Sequence, residues 1–142
     1  MRVSDIMTRD PVKVRLDDTL RTAVEQMQRY TCHRLPVVDN DGALVGIITD
    51  RDTRLALHSP FVLHERWQEE ALLDRVTVRA CMTCAPITIE PTAEIEDAIR
   101  LMLEHRIGGL PVLRGESVVG IITSTDVMAA FIHYLRSQHP TP

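Results

Sequence analysis

The heptapeptide Gly46-Ile47-Ile48-Thr49-Asp50-Arg51-Asp52 returns as Gly120-Ile121-Ile122-Thr123-Ser124-Thr125-Asp126. In both copies a glycine leads two β-branched residues, a threonine follows, and an aspartate stands three positions later. That order predicts a buried strand running into a helix start. The hydroxyl and the carboxylate then flank the first free N–H groups of the helix, where a phosphate or a ribose can be held. An ordinary N-cap, Thr49 or Asp50 on one helix and Thr123 or Ser124 on the other, is the competing reading of either copy taken alone.

The repetition extends well beyond the heptapeptide. Met7, Thr8 and Pro11 recur as Met82, Thr83 and Pro86, all at an offset of 75 positions. Each trio opens its copy as a short helical turn, a proline breaker and a short strand, Val12-Lys13-Val14 or Ile87-Thr88-Ile89. Helices follow whose apolar positions, Leu20, Ala23, Val24 and Met27 or Ile95, Ala98, Ile99 and Met102, fall at three- and four-residue spacing. Leu35-Pro36-Val37 and Leu110-Pro111-Val112 then start strands with proline where its missing N–H is tolerated. Asp39-Asn40-Asp41-Gly42 signals a turn, and the shorter Arg114-Gly115-Glu116 moves the offset to 74, which aligns Gly46 with Gly120. Closing helices are expected to begin near Arg51 and Thr125. The organisation read from this is a first repeat over 1–57, a connection over 58–77 and a second repeat over 78–142.

The connection has no counterpart elsewhere in the chain. Ser59-Pro60 breaks the preceding helix, and the stretch from His64 to Glu70 is expected to begin another that reaches Leu72 and Leu73. Trp67, the single tryptophan, is read as a packing anchor rather than a base-stacking residue.

Composition excludes several classes of function. Sixteen basic against 20 acidic residues leave a net charge of -4, so the overall field repels nucleic acid and anionic membranes. Aromatics at 4% supply no stacking platform for single strands. No apolar run approaches 18 residues, the start of the chain lacks a leader pattern, and three cysteines are too few for a secreted disulfide framework. The expected setting is therefore the cytoplasm, with neither nucleic acid nor membrane as partner.

With these motifs in order, the chain resembles the cystathionine-β-synthase (CBS) domain family, in particular a tandem pair forming one Bateman module. The resemblance covers residues 3 to 57 and 78 to 133, and its organisation is similar to that of the stand-alone AcuB-like regulators. It implies an α/β fold of two β-α-β-β-α units packed with pseudo-twofold symmetry, and up to two clefts for adenosine-containing ligands: AMP, ADP or ATP, or S-adenosylmethionine. Thr49 and Thr123 match the family's phosphate-side hydroxyls, and Asp52 and Asp126 match its ribose-binding carboxylates. Val12 and Ile87 match the adenine wall, with Ile47 and Ile121 as further candidates.

The chemistry of the residues agrees with these roles. An ionised aspartate only accepts hydrogen bonds, which suits a ribose diol and not a phosphate. Arg51 is placed to contact phosphate, whereas Thr125 removes that charge from the second copy, so the first site suits the more phosphorylated ligand. His33 and Arg34 add charge near the first site, where the second copy has Gly108 and Gly109. Lys13 and Arg79 are weaker candidates.

Cys81-Met82-Thr83-Cys84 has C-x-x-C spacing, but a zinc site needs further ligands, and Cys32 and His105 would have to be brought together by the fold. Cys81 takes the place of Ile6 and is expected to be a small buried residue. No Walker loop, dinucleotide-binding glycine pattern or catalytic triad context is present, so no catalytic residue and no metal are expected. The reading is a non-catalytic regulatory module that binds an adenosyl nucleotide, forms a homodimer through the helices after Asp52 and Asp126, and serves a regulated enzyme or transporter. A ligand-independent dimerisation or adaptor module and a cysteine-based redox or metal protein are the alternatives.

Overall fold

A computed structural model describes residues 1–58 and 65–139. In chain order the elements are α1 (Val3–Ile6), β1 (Thr8–Arg9), β2 (Val14–Arg15), α2 (Leu20–Arg29), β3 (Arg34–Val38), β4 (Leu44–Thr49) and α3 (Asp50–Leu57). They continue with α4 (Arg66–Arg75), α5 (Val78–Cys81), β5 (Thr83–Cys84), α6 (Ile95–His105), β6 (Gly109–Arg114), β7 (Ser117–Thr123) and α7 (Ser124–Gln138). The α/β class and the duplicated order are those expected. The anticipated break at Ser59-Pro60, and His64, lie outside the described residues.

Two compact units form, and they cut across the sequence repeats. One unit joins Met1–Pro11 to Ile87–Pro142, and the other is Val12–Pro86. The opening arm of each repeat thus completes the sheet of the unit that contains the other repeat's long strands. In the first-named unit the sheet order is β1-β7-β6, with Thr8 opposite Ile121. In the other it is β2-β3-β4-β5, with Thr83 opposite Ile47.

The heptapeptide glycine has a steric reason to be there. A Cβ built on Gly46 would lie 2.5 Å from Met82 Sδ and 2.9 Å from the Thr83 carbonyl oxygen. One built on Gly120 would lie 2.5 Å from Met7 Sδ and 3.0 Å from the Thr8 carbonyl oxygen. Each methionine lies over the glycine of a strand from the other repeat, and a larger residue there would force the methionine and the arm's carbonyl to shift.

Each unit encloses its own apolar core. Val14, Leu20, Ala23, Leu35, Val37, Ile48 and Val78 are buried together in one, and Val3, Ala98, Leu110, Val112 and Ile122 in the other. The helical spacing read from the sequence accounts for the buried faces of α2 and α6, which carry Leu20, Ala23 and Met27, and Ala98 and Met102. The two turns are as expected: Asp39 Oδ1 accepts from the Asp41 and Ala43 amides, and Gly42 and Gly115 take positive φ of 81° and 63°.

Several local expectations need correction. The strand placed at Val12-Lys13-Val14 is Val14–Arg15, because pairing with Val37 and Val38 begins at Val14. Ile87-Thr88-Ile89 is no strand but a single parallel bridge from Ile89 to Val112. The helices α3 and α7 start one residue earlier than read, since Thr49 and Thr123 are the caps. Trp67 is 65% exposed, its indole N–H donating to Glu65 at 2.8 Å, so it does not anchor a core. Leu73 of α4 packs on the core instead, and Arg21 of α2 adds exposed bonds of 2.6 Å to Asp74 and 2.8 Å to Glu70 that raise its guanidinium pKa.

Among the described residues four non-glycine residues take positive φ, and they form two pairs at the repeat offset. Asp10 and Ala85 (50° and 45°) precede the prolines at the unit crossings, and Thr31 and Arg106 (50° and 53°) follow α2 and α6.

Candidate ligand sites at the two helix starts

The strand-to-helix corner of each copy is closed by a reciprocal cap. Thr49 Oγ1 accepts from the Asp52 amide at 3.2 Å while Asp52 Oδ2 accepts from the Thr49 amide at 2.9 Å. In the second copy the same two bonds measure 3.3 Å and 2.8 Å, between Thr123 and Asp126. The capping reading therefore holds for both threonines, and the threonine-to-aspartate spacing of the motif is what a capping box requires.

Satisfying the corner does not exhaust its chemistry. Of the four orphan donors of α3, the Thr49 and Asp52 amides are used by the cap, and the Asp50 amide donates to the His33 carbonyl at 2.8 Å. The Arg51 amide remains without a partner among the described residues. In α7 the corresponding donors are used alike, with Ser124 donating to the Gly108 carbonyl at 2.9 Å, and the Thr125 amide remains. An ionised carboxylate has about four lone-pair sites, so Asp52 and Asp126 keep acceptor capacity after their cap bond. Both are partly exposed and reachable.

The two corners differ at the hydroxyl. Thr123 Oγ1 also donates to Asp126 Oδ2 at 3.0 Å, which occupies its one proton. No such bond is made by Thr49 among the described residues, so its proton is free for an anion. The corners differ again across the strand pair. Arg34 stands opposite Thr49 in the β3–β4 register, and its counterpart Gly109 stands opposite Thr123 in β6–β7. Directly opposed residues share a face of the sheet, so an arginine side chain stands on the face of the first hydroxyl, where the second has a glycine.

Arg34 is half-buried, and burial pushes its guanidinium down from the ordinary arginine range while the charge of Asp50 works the other way. Asp50 is engaged elsewhere, with Oδ2 at 3.3 Å from His33 Nδ1 and 3.8 Å from an Arg54 nitrogen. Among the described residues no carboxylate lies within ion-pair distance of Arg34. Arg51, the cation singled out from sequence, is exposed on α3 and makes no ion pair with a described residue. Sequence order favoured Arg51 because it adjoins Thr49 in the chain; the strand register favours Arg34.

The remaining sequence candidates distribute as follows. Val12 and Ile87 are half-buried against the core of the unit that holds, respectively, Thr49 and Thr123. Ile47 is partly buried and Ile121 buried. Lys13 is exposed, and Arg79 is paired with Asp17 at 3.1 Å. Two cavities, one of about 320 Å³ beside Met27, Cys32, His33 and Asp50 and one of about 450 Å³ beside Thr88, Glu90 and Leu113, contain none of Thr49, Asp52, Thr123 and Asp126.

The cysteines take up different environments. Burial raises the Cys81 thiol pKa and the nearby Asp52 raises it further; burial also raises that of Cys32. Both changes favour the unreactive thiol over the thiolate. Cys84 is exposed, and no group of three metal-binding side chains occurs among the described residues. No helix among the described residues is long and apolar enough to cross a membrane.

Comparison with known proteins identifies the repeats and the fold. The CBS domain model matches residues 3–59 and 78–133. An acetoin utilization protein (AcuB) of Vibrio cholerae is 27% identical, with a TM-score of 0.79 over 100% of this chain and 98% of that one. CBSX2 of Arabidopsis thaliana, solved in complex with AMP, is 28% identical with a TM-score of 0.78 over 93% of this chain and 97% of its own. The CBS domain pair of the protein MJ0100, solved with 5-methylthioadenosine and S-adenosyl-L-methionine, is 26% identical with a TM-score of 0.76 over 94% and 98%.

Proposed function

This chain belongs to the CBS domain family, and from that premise we propose that it is a regulatory module whose two helix-start corners bind adenosyl nucleotides. Asp52 and Asp126 take the ribose hydroxyls on the acceptor capacity left after capping. Val12 and Ile87 supply the apolar wall for adenine, with Ile47 and Ile121 beside them. The likeness to proteins solved with AMP and with S-adenosyl-L-methionine supports the ligand class.

The observation that carries the reading furthest is the inequality of the corners. The first offers a free Thr49 hydroxyl proton, the Arg51 amide and the half-buried Arg34 opposite, with Arg51 itself within reach; it suits AMP, ADP or ATP. The second has the Thr125 amide alone beside a hydroxyl already donated to Asp126, and suits a ligand without phosphate such as S-adenosylmethionine. Occupancy would favour one arrangement of the chain and be read by a regulated enzyme or transporter in the cytoplasm, with the module acting as a homodimer and itself catalysing nothing.

The test is calorimetric titration of nucleotide-stripped protein with AMP, ATP, S-adenosylmethionine and GTP, repeated on Asp52→Ala and Asp126→Ala. Adenosyl-selective binding, lost one site at a time, is the expected result. A folded protein that binds none of the four would overturn the reading, and the reciprocal caps would then be fold elements of a ligand-independent dimerisation or adaptor module.

A further inference from the structure

The cavity of about 450 Å³ lies at the far end of β6 from the second corner, and nucleotide binding makes no use of it. Its lining residues, Thr88, Ile89, Glu90, Ala93, Leu113 and Gly115, all belong to the unit that contains β7. Gly109, opposite Thr123, and Leu113 stand four residues apart on β6, roughly 13 Å along the strand.

A ladder bond made in the first repeat is absent at this cavity. In the first repeat the Leu16 amide donates to the Val38 carbonyl at 3.4 Å. At the offset of 75 the same positions are Pro91 and Leu113, and proline has no N–H to give. The bonds before it are kept: the Ile89 amide donates to the Pro111 carbonyl at 3.1 Å, and the Leu113 amide to the Ile89 carbonyl at 2.9 Å. The N–H and C=O of one residue in a strand share a side, so the Leu113 carbonyl also faces away from β7. Among the described residues no loop amide and no side chain donates to it.

The side chains change in the same sense. Ile89 is buried, so Thr88 and Glu90 on either side of it turn outward together. Their counterparts are Lys13 and Arg15, so a hydroxyl and a carboxylate stand where the first repeat has two cations. Glu90 is exposed and takes part in none of the ion pairs among the described residues. No Lys, Arg or His lines the cavity.

We propose that this cavity binds an organic ammonium, a protonated primary amine on a short alkyl stem. An alkylammonium has three N–H donors and no acceptor, which matches a carbonyl, a hydroxyl and a carboxylate. Ile89, Ala93 and Leu113 give the stem apolar surface. A bare cation is the poorer match on size, since a water-sized guest takes about 30 Å³ and cavities of several hundred Å³ hold small organic molecules. The first repeat is the internal control, because Lys13 and Arg15 repel the same charge.

Amide NMR of the isotope-labelled full chain, titrated with n-butylammonium chloride at constant ionic strength, tests this. Saturable shifts are expected at Thr88, Ile89, Glu90, Ala93, Leu113 and Gly115, and none at Lys13 to Arg15. Glu90→Gln removes the charge and should weaken binding at least ~10-fold. Pro91→Leu returns an amide to the Leu113 carbonyl and should weaken it by a similar factor. Pro91 is buried, so if that variant fails to fold, Glu90→Gln at its exposed position decides. Unchanged affinity in either folded variant, or no saturable shift at these amides, would overturn the proposal. So would the same shifts produced by potassium chloride, which would make the guest a bare ion, or by n-butanol, which would leave only an apolar cleft.

Discussion

The unit built on β4 and α3 and the unit built on β7 and α7 share a frame down to single bonds. Each closes its corner with the same capping box, covers the same strand glycine with a methionine from the other repeat, and ties the first helical amide to the carbonyl two residues before a leucine-proline strand. The differences lie in what surrounds the corner. One has Arg34 across the strand and a hydroxyl with its proton free; the other has Gly109 and a hydroxyl already committed. One closing helix is short and charged, the other long and apolar on its outside. Duplication has kept what holds the backbone and altered the side chains around each corner and on the outside of each closing helix.

The largest effects should come from the residues the two units share. Asp52→Ala removes two charge-assisted hydrogen bonds to a ribose, at ~1.5–3 kcal/mol each, so affinity at the first site falls at least ~100-fold while the second is unchanged. Asp126→Ala mirrors this. Asp52→Asn keeps an oxygen for the Thr49 amide and loses the charge, and an intermediate loss in calorimetry would separate ribose binding from capping. Equal loss at both sites from either substitution would break the comparison of independent corners.

How much of this was legible in advance depends on the range of each interaction. The corners, turns and buried helix faces were readable because caps, glycine turns and 3.6-residue periodicity are local. The exchange of arms was not: Met7 and Met82 announced a repeat, but nothing in the sequence says which glycine a methionine will cover. Arg34 was named with less emphasis than Arg51 because adjacency in the chain is visible and strand register is not. Ile87 to Ile89 alternates like a strand yet gains one parallel bridge, Ile89 to Val112, on the edge of β6 that β7 leaves open. Trp67 was expected inside on composition, but α4 turns Leu73 to the core and leaves Trp67 in solvent.

Steric demands on the shared frame come next in size. Gly46→Ala would set a methyl against Met82 Sδ and the Thr83 carbonyl oxygen, and overpacking of this kind costs ~1–3 kcal/mol. At about 2–4 °C per kcal/mol for a chain of this size, the midpoint of thermal unfolding should drop by up to ~10 °C. Gly120→Ala should match it, against Met7 and Thr8. Gly46→Ala should cost less in a Met82→Ala background than in the wild type, though not nothing, because the carbonyl at 2.9 Å stays in place. Unequal losses at the two glycines would show that the frame is less symmetric than its bonds suggest.

Arg34→Ala attacks the difference itself. Losing one charge-assisted contact to phosphate should weaken AMP at the first site ~10-fold and leave adenosine binding as it was. Stability should hold or rise, because a half-buried cation without a carboxylate partner within ion-pair distance among the described residues is relieved. The converse variant, Thr125→Arg, restores a cation to the second corner and should raise AMP affinity there a few-fold, less than Arg34 contributes, since that position is exposed to solvent. If Arg34→Ala weakened adenosine as much as AMP, the arginine would be acting on the shape of the corner and the charge distinction between the units would fall.

The smallest effect lies at the unit crossings, where the two copies use different residues for the same backbone. Asp10 and Ala85 both take left-handed φ, at 50° and 45°. Aspartate tolerates that region through its short polar side chain, whereas alanine bears the full clash of Cβ with the carbonyl, ~1–2 kcal/mol. Glycine removes the clash but adds ~0.5–1 kcal/mol of unfolded-state entropy. Ala85→Gly should therefore stabilise by less than ~1 kcal/mol, and Asp10→Gly should be neutral or slightly destabilising. Denaturant midpoints for the two variants measure the contrast directly. A gain at Asp10 equal to that at Ala85 would mean that side-chain chemistry does not distinguish the two crossings.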